Sequence, residues 1–176
     1  MKSLVFILFI ILFGTISFAQ NIHAYIAPND TVVIDTTNHQ RMLLGYCSRK
    51  SFQDTSFSWW FNSLYDMYEI DSTNALSLKD KLNNIQITVV MGTWCSDSRR
   101  LVPKFLRIMD FLDFPKDKIS IIAVGRDLKG KQNETEGLNV KSVPTIIFYK
   151  DSKEIGRIIE FPKESYEKDM LKLLNG

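Results

Sequence analysis

Cysteine and histidine are scarce in this chain, with two of each among 176 residues. Two cysteines, Cys47 and Cys95, cannot form the disulfide lattice with which small secreted domains replace a core. A zinc site would need both of them and both histidines, and His23 and His39 stand at no ligand spacing. Both histidines read as surface residues. No cluster of Lys and Arg interleaved with aromatics occurs, and the formal net charge is only +2, so nothing points to nucleic acid. Gly-rich phosphate loops are missing, as are internal repeats and low-complexity tracts. No cofactor and no metal is implied, and nothing specifies an oligomeric state. Beyond the N-terminus, no apolar run approaches the roughly 20 residues that span a bilayer.

What the chain does have is a composition suited to a folded core, 45% hydrophobic and 24% charged, with length for one domain and a small addition. Residues 1–19 read as an export signal. Lys2 supplies a positive start, Leu4 to Phe13 an apolar run, and Ser17-Phe18-Ala19 small residues for cleavage before Gln20. Loss of Lys2 with this segment leaves a net charge of +1. The expected location is periplasmic or secreted, a compartment where thiol–disulfide chemistry is ordinary. The alternative is an uncleaved anchor, and a membrane enters the reading only in that case.

Residues 20–84 read as an N-terminal extension, mostly helical. It begins polar and turn-rich, with one short strand candidate at Thr31-Val32-Val33-Ile34. Phe57, Trp60, Phe61, Leu64 and Tyr65 then recur at helical spacing. That stripe packs a helix onto the domain or forms an aromatic binding surface, and Trp59 lies off it. A second short helix is expected over Asp71–Leu82, capped by Asp71, Ser72 or Thr73.

From residue 85 the pattern changes. Ile85 to Met91 is a short apolar, β-branched run, which predicts a buried strand. Leu101 to Leu112 predicts an amphipathic helix. Cys95 therefore falls where a strand hands over to a helix N-terminus, among unpaired N–H groups and the positive end of the helix dipole. Both favour the thiolate, the form that attacks disulfides. A further strand is expected at Ile119–Val124, then a charged loop over 126–139. A hairpin turning at Asp151-Ser152 and a closing helix over Glu164–Leu174 complete the chain.

This order of elements and motifs resembles the thioredoxin superfamily. Trp94-Cys95-x-x-Ser98 is similar to that family's Trp-Cys-x-x-Cys motif with serine in place of the second cysteine. Pro103 matches its helix proline, and Val143-Pro144-Thr145 before Ile146-Ile147-Phe148-Tyr149 matches its cis-proline loop. The resemblance covers residues 85–176. It implies an α/β, thioredoxin-like three-layer fold with a central mixed β-sheet flanked by helices. It also implies that Cys95 is the catalytic nucleophile, and that Trp94, Val143 and Pro144 bind substrate. Its partners would be protein or small-molecule thiols and disulfides.

Two departures bear on the chemistry. Ser98 cannot attack or leave as a thiol does, although its hydroxyl can hydrogen-bond the Cys95 thiolate. Val89 stands six positions before the nucleophile, where many thioredoxins carry a buried carboxylate. The peroxiredoxin pattern Pro-x-x-x-Thr-x-x-Cys is absent. Release of a captured substrate then needs an external thiol or Cys47, which is equally open to being a structural partner of Cys95 or a buried, inert residue. The leading expectation is a one-cysteine thiol–disulfide exchange protein; the alternative is a redox-inactive binding module on the same fold.

Overall fold

The computed structural model of the chain describes residues 28–175; the export signal expected over residues 1–19 lies outside them. The elements run β1 (Thr31–Ile34), β2 (Arg41–Cys47), a 3-10 turn (Arg49–Gln53), α1 (Thr55–Asp66), α2 (Ser72–Leu76), β3 (Ile85–Met91), α3 (Ser96–Phe111), β4 (Ile119–Ala123), β5 (Thr145–Lys150), β6 (Lys153–Ile159) and α4 (Tyr166–Asn175). The strands form one sheet in the order β1-β2-β4-β3-β5-β6.

β3 is buried at every position except Gln86. A strand covered on both faces has no reason to alternate, which is why it reads as one continuous apolar run. It pairs in parallel with β4 and antiparallel with β5, and α3 supplies the crossover that a parallel pair requires. One face of the sheet, with Val89, Met91, Ile121 and Phe148, carries the main core against α1, α3 and α4. There Phe105 of α3 packs edge-on to Phe148 and Tyr166. The opposite face presents the alternate residues Val90 and Ile122, which with Val124 and Val143 form a second apolar cluster. The chain between β4 and β5 covers that cluster with turns, using Leu128, Leu138 and Val140. The architecture is α/β, three layers around a mixed sheet.

The aromatic stripe of α1 is core: Phe57, Trp60 and Phe61 are buried, whereas Trp59 is 67% exposed. Arg49 and Tyr65 both bind Asp110 of α3, at 3.1 and 2.7 Å. At the other end Glu167 of α4, fully buried, accepts from the Tyr68 hydroxyl and the Asp71 N–H. Asp71 also caps α2 through Asn74 N–H, though α2 is one short helix followed by turns rather than a helix to Leu82.

The extension expected to be mostly helical over 20–84 also holds a strand that the sequence did not announce, β2. Within the described part, 28–84, β1 and β2 extend the sheet itself, and β2 hydrogen-bonds antiparallel to β4 from Gly45↔Ala123 to Cys47↔Ile121. Leu43, Gly45 and Cys47 point inward in strict alternation. The signal is weak in sequence because Gly45 interrupts it. Gly45 has φ +100, and a Cβ there would lie 2.6 Å from the Asn29 side chain, so the strand needs the residue that least resembles a strand former. Leu43→Ala should therefore cost about 2–5 kcal/mol of global stability, read as a lower urea midpoint, while Trp59→Ala should stay within about 0.5 kcal/mol of wild type. An unchanged midpoint for Leu43→Ala would mean the hairpin is an appendage.

Candidate functional site

The site is built where β3 ends. Val124 N–H bonds to the Met91 carbonyl as the sheet closes, and Cys95 N–H turns back to Gly92 O at 3.0 Å. Arg99 N–H then bonds to Cys95 O, so Cys95 is the N-cap of α3, with φ −85 and ψ 125. No side chain caps this helix, which leaves first-turn N–H groups beside the sulfur. Four contacts hold the turn. Ser98, fully buried, accepts the Gly92 N–H at 3.2 Å. Thr93 Oγ1 accepts the Leu43 N–H at 3.0 Å, joining β2 to the turn. Arg99 Nε donates to Thr93 O, and its guanidinium lies 6.0 Å from the Trp60 ring centre. Trp94 Nε1 donates to Val124 O at 2.9 Å.

Cys95 is half-buried, and its thiol donates to Val143 O at 3.4 Å. The Val143–Pro144 peptide bond is cis. Pro144 O is taken by Glu160 N–H at 2.7 Å, and Thr145 Oγ1 donates to Ser142 O at 2.7 Å, so the loop facing the sulfur is held from both ends. The structure thus brings Trp94, Cys95 and Val143 into one apolar cluster, with Pro144 adjoining. It places Ser98 differently from expectation. Among the described residues the Ser98 hydroxyl contacts the Gly92 backbone, and the sulfur's partner is the Val143 carbonyl. Ser98 secures the turn that presents Cys95.

No family model matches the chain. Among curated proteins, the thioredoxin-like protein R548 of Acanthamoeba polyphaga mimivirus is 26% identical over 105 residues, covering 58% of this chain and 74% of that protein. The chain is thus similar to a thioredoxin-like protein, the same resemblance that its motif order carries. Similar solved structures include thioredoxin O1 from Arabidopsis thaliana in its oxidised state (21% identity, TM-score 0.39, covering 58% of this chain and 89% of that one). Another is the thioredoxin of Aeropyrum pernix, with 19% identity and TM-score 0.39, covering 56% and 79%.

Both cysteines are free. Cys47 ends β2 opposite Ile121, and Ile121 is itself opposite Val89. Cys47 is therefore two strand spacings, about 9–10 Å, from β3, and Cys95 lies beyond the end of β3. A disulfide needs Cα atoms within about 4.4–6.8 Å. Cys47 packs in the helix-side core, Cys95 in the cluster on the other face. The arrangement does not bring Cys47 to Cys95, as either a resolving or a structural partner. Cys47 is 8% exposed and donates to Gly45 O at 3.5 Å. Burial, reinforced by the Asp30 charge, pushes its thiol far above the ordinary range. It borders a cavity of about 410 Å³ with Tyr46, Arg49, Lys116 and Ile119. That cavity sits at the start of β4, the opposite end of the parallel pair from Cys95.

Charge around the sulfur is locally balanced. Asp97 in the first turn of α3 pairs with Arg100 at 3.1 Å, and Arg100 also lies over Phe161. Three contributors escaped the sequence reading. Gly92 allows the Trp94 indole to lie against the backbone, since a Cβ there would be 2.6 Å from Trp94 Nε1; a glycine just before Trp-Cys was the available hint. Arg126, 4.7 Å over the Trp94 ring, and its partner Asp35 carried no hint, because each is a lone charge in a polar loop.

Two outcomes test this geometry. Under native conditions iodoacetamide should label Cys95 and spare Cys47, with both labelled in denaturant, as read by mass spectrometry. Because folding keeps Cys47 protonated where the unfolded thiol ionises, stability should fall as pH rises above about 9. Cys47→Ala should lessen that fall by up to about 1.4 kcal/mol per pH unit in denaturation curves. A slope identical to wild type would remove Cys47 as its source.

Proposed function

We propose that this protein is an exported thiol–disulfide exchange protein that works with one active-site cysteine. The observation that carries this reading is the placement of Cys95. It is a half-buried thiol at the N-terminus of α3, facing the Val143 carbonyl at 3.4 Å beside a cis proline. Cys95 thiolate attacks one sulfur of a substrate disulfide, R–S–S–R′. A new sulfur–sulfur bond forms to R–S, the old one breaks, and R′–S⁻ leaves and takes a proton from solvent. A second thiolate, from a small-molecule or protein thiol, then attacks the mixed disulfide and returns Cys95 as a thiolate. The external thiol is required because position 98 is serine and Cys47 is buried on the other side of the sheet. Trp94 flanks the sulfur and, with Val143 and Pro144, forms the surface on which an extended substrate chain lies. Residues 1–19 carry the protein out of the cytoplasm into a compartment where such disulfides are abundant.

The missing second thiol favours one other reading, a redox-inactive module that holds a partner on the same face. Capture of a labelled peptide disulfide separates the two. Cys95→Ser should abolish the mixed disulfide seen on non-reducing gels, and Cys47→Ser should leave its rate within about twofold of wild type. Exchange that persists in Cys95→Ser would falsify the catalytic assignment, and thiol-independent retention of the peptide by that variant would support the binding module.

A further inference from the structure

Trp94 is held on three sides. The Gly92 backbone lies against its indole, and Val124 O accepts its N–H at 2.9 Å. The Arg126 guanidinium covers the ring with its carbon 4.7 Å from the ring centre, within cation–π range. The first two contacts belong to the β3–β4 framework. The third is aimed from elsewhere. Arg126 Nε donates to both oxygens of Asp35 at 3.2 and 3.0 Å, and a second nitrogen sits 2.8 Å from Oδ2. This is a forked pair that fixes the guanidinium plane as well as its position.

Asp35 closes the turn after β1. Its carboxylate also accepts the Thr37 N–H at 2.9 Å, and its backbone bonds to Gln40 and His39. It is 2% exposed, although the Arg126 side chain is 41% exposed. A half-exposed arginine would ordinarily sample many rotamers; here the buried carboxylate selects one. Asp35 lies 60 positions upstream of Cys95, in the hairpin that pairs with β4 through β2.

We propose that Asp35 and Arg126 are positioning residues for the Cys95 site: the β1–β2 turn aims Arg126 at Trp94 and so fixes the indole against which the substrate chain docks. This deepens the exchange reading and rests on it. Neither residue touches the reacting sulfur. Their loss acts on docking, while access of a small reagent to Cys95 is unaffected.

The test uses the full mature chain carrying 5-fluorotryptophan, which reports its three indoles separately by ¹⁹F NMR; Trp94→Phe identifies the Trp94 signal. Asp35→Asn should shift or broaden that signal. It should slow mixed-disulfide formation with an extended peptide disulfide by about three- to tenfold. The rate and pH profile of iodoacetamide labelling at Cys95 should stay at wild-type values. Asp35→Asn should add nothing to the peptide rate of Trp94→Phe, because both act through the same ring. Arg126→Gln, at a half-exposed position, should repeat the pattern even if Asp35→Asn fails to fold, and Arg126→Lys should recover part of the loss. An unmoved Trp94 signal, equal slowing of peptide and iodoacetamide, or an undiminished Asp35→Asn effect in Trp94→Phe would overturn the proposal. A wild type inert toward every disulfide would sink the exchange reading instead, and the NMR signal would still report on the clamp.

Discussion

A strand buried at all but one position has to end, turn and restart as a helix within four residues, and Cys95 is the residue at which that turn completes. Buried backbone groups must find partners, and β3 leaves several unpaired as it stops at Met91. The partners come from every direction. Ser98 accepts the Gly92 N–H and Arg99 Nε donates to Thr93 O, while Thr93 Oγ1 ties the turn to β2 by accepting the Leu43 N–H. Cys95 is left with helix N–H groups on one side and the Val143 carbonyl on the other.

The same need explains why a serine is suited to position 98. It is buried at the base of the turn, and its hydroxyl oxygen accepts the Gly92 N–H. The site gains a fixed turn and does without an internal second thiol. Cys47 does not take over that role, since a strand lies between it and β3 and burial disfavours its thiolate. In the function proposed above, the site captures a substrate and leaves release to an outside thiol. The charges nearby are arranged in pairs. Asp97 faces Arg100 and Asp35 faces Arg126, so the guanidinium groups act by shape and contact as well as by charge.

Much of the fold was readable wherever residues interact locally. Ile85–Met91, Ile119–Ala123 and Thr145–Lys150 are strands dense in β-branched and apolar residues, and α3 and α4 show plain helical stripes. The Phe57, Trp60 and Phe61 stripe proved to be core, as apolar residues at helical spacing usually are. β2 was hidden because Gly45 breaks its pattern, and the layer over 124–144 because turns have no period. At the site, Cys95, Trp94, Val143 and Pro144 were nameable from motif order. The part played by Ser98 was not, since a serine hydroxyl can bond a sulfur or a backbone N–H equally well and only the path of the turn chooses between them.

The sequence by itself determined which residues could be chemical: one thiol at a strand-to-helix junction, a serine where a second thiol would close a ring, and a proline loop before a strand. Those follow from local order along the chain, which sets backbone direction and helix termini. Tertiary structure alone decided the rest. It set which face of the sheet each cysteine occupies, that Ser98 serves the backbone, and that a carboxylate in the first hairpin steers an arginine onto Trp94. Each of these depends on strand order in the sheet, and strand order comes from burial of the whole apolar surface at once, which no single stretch of sequence records.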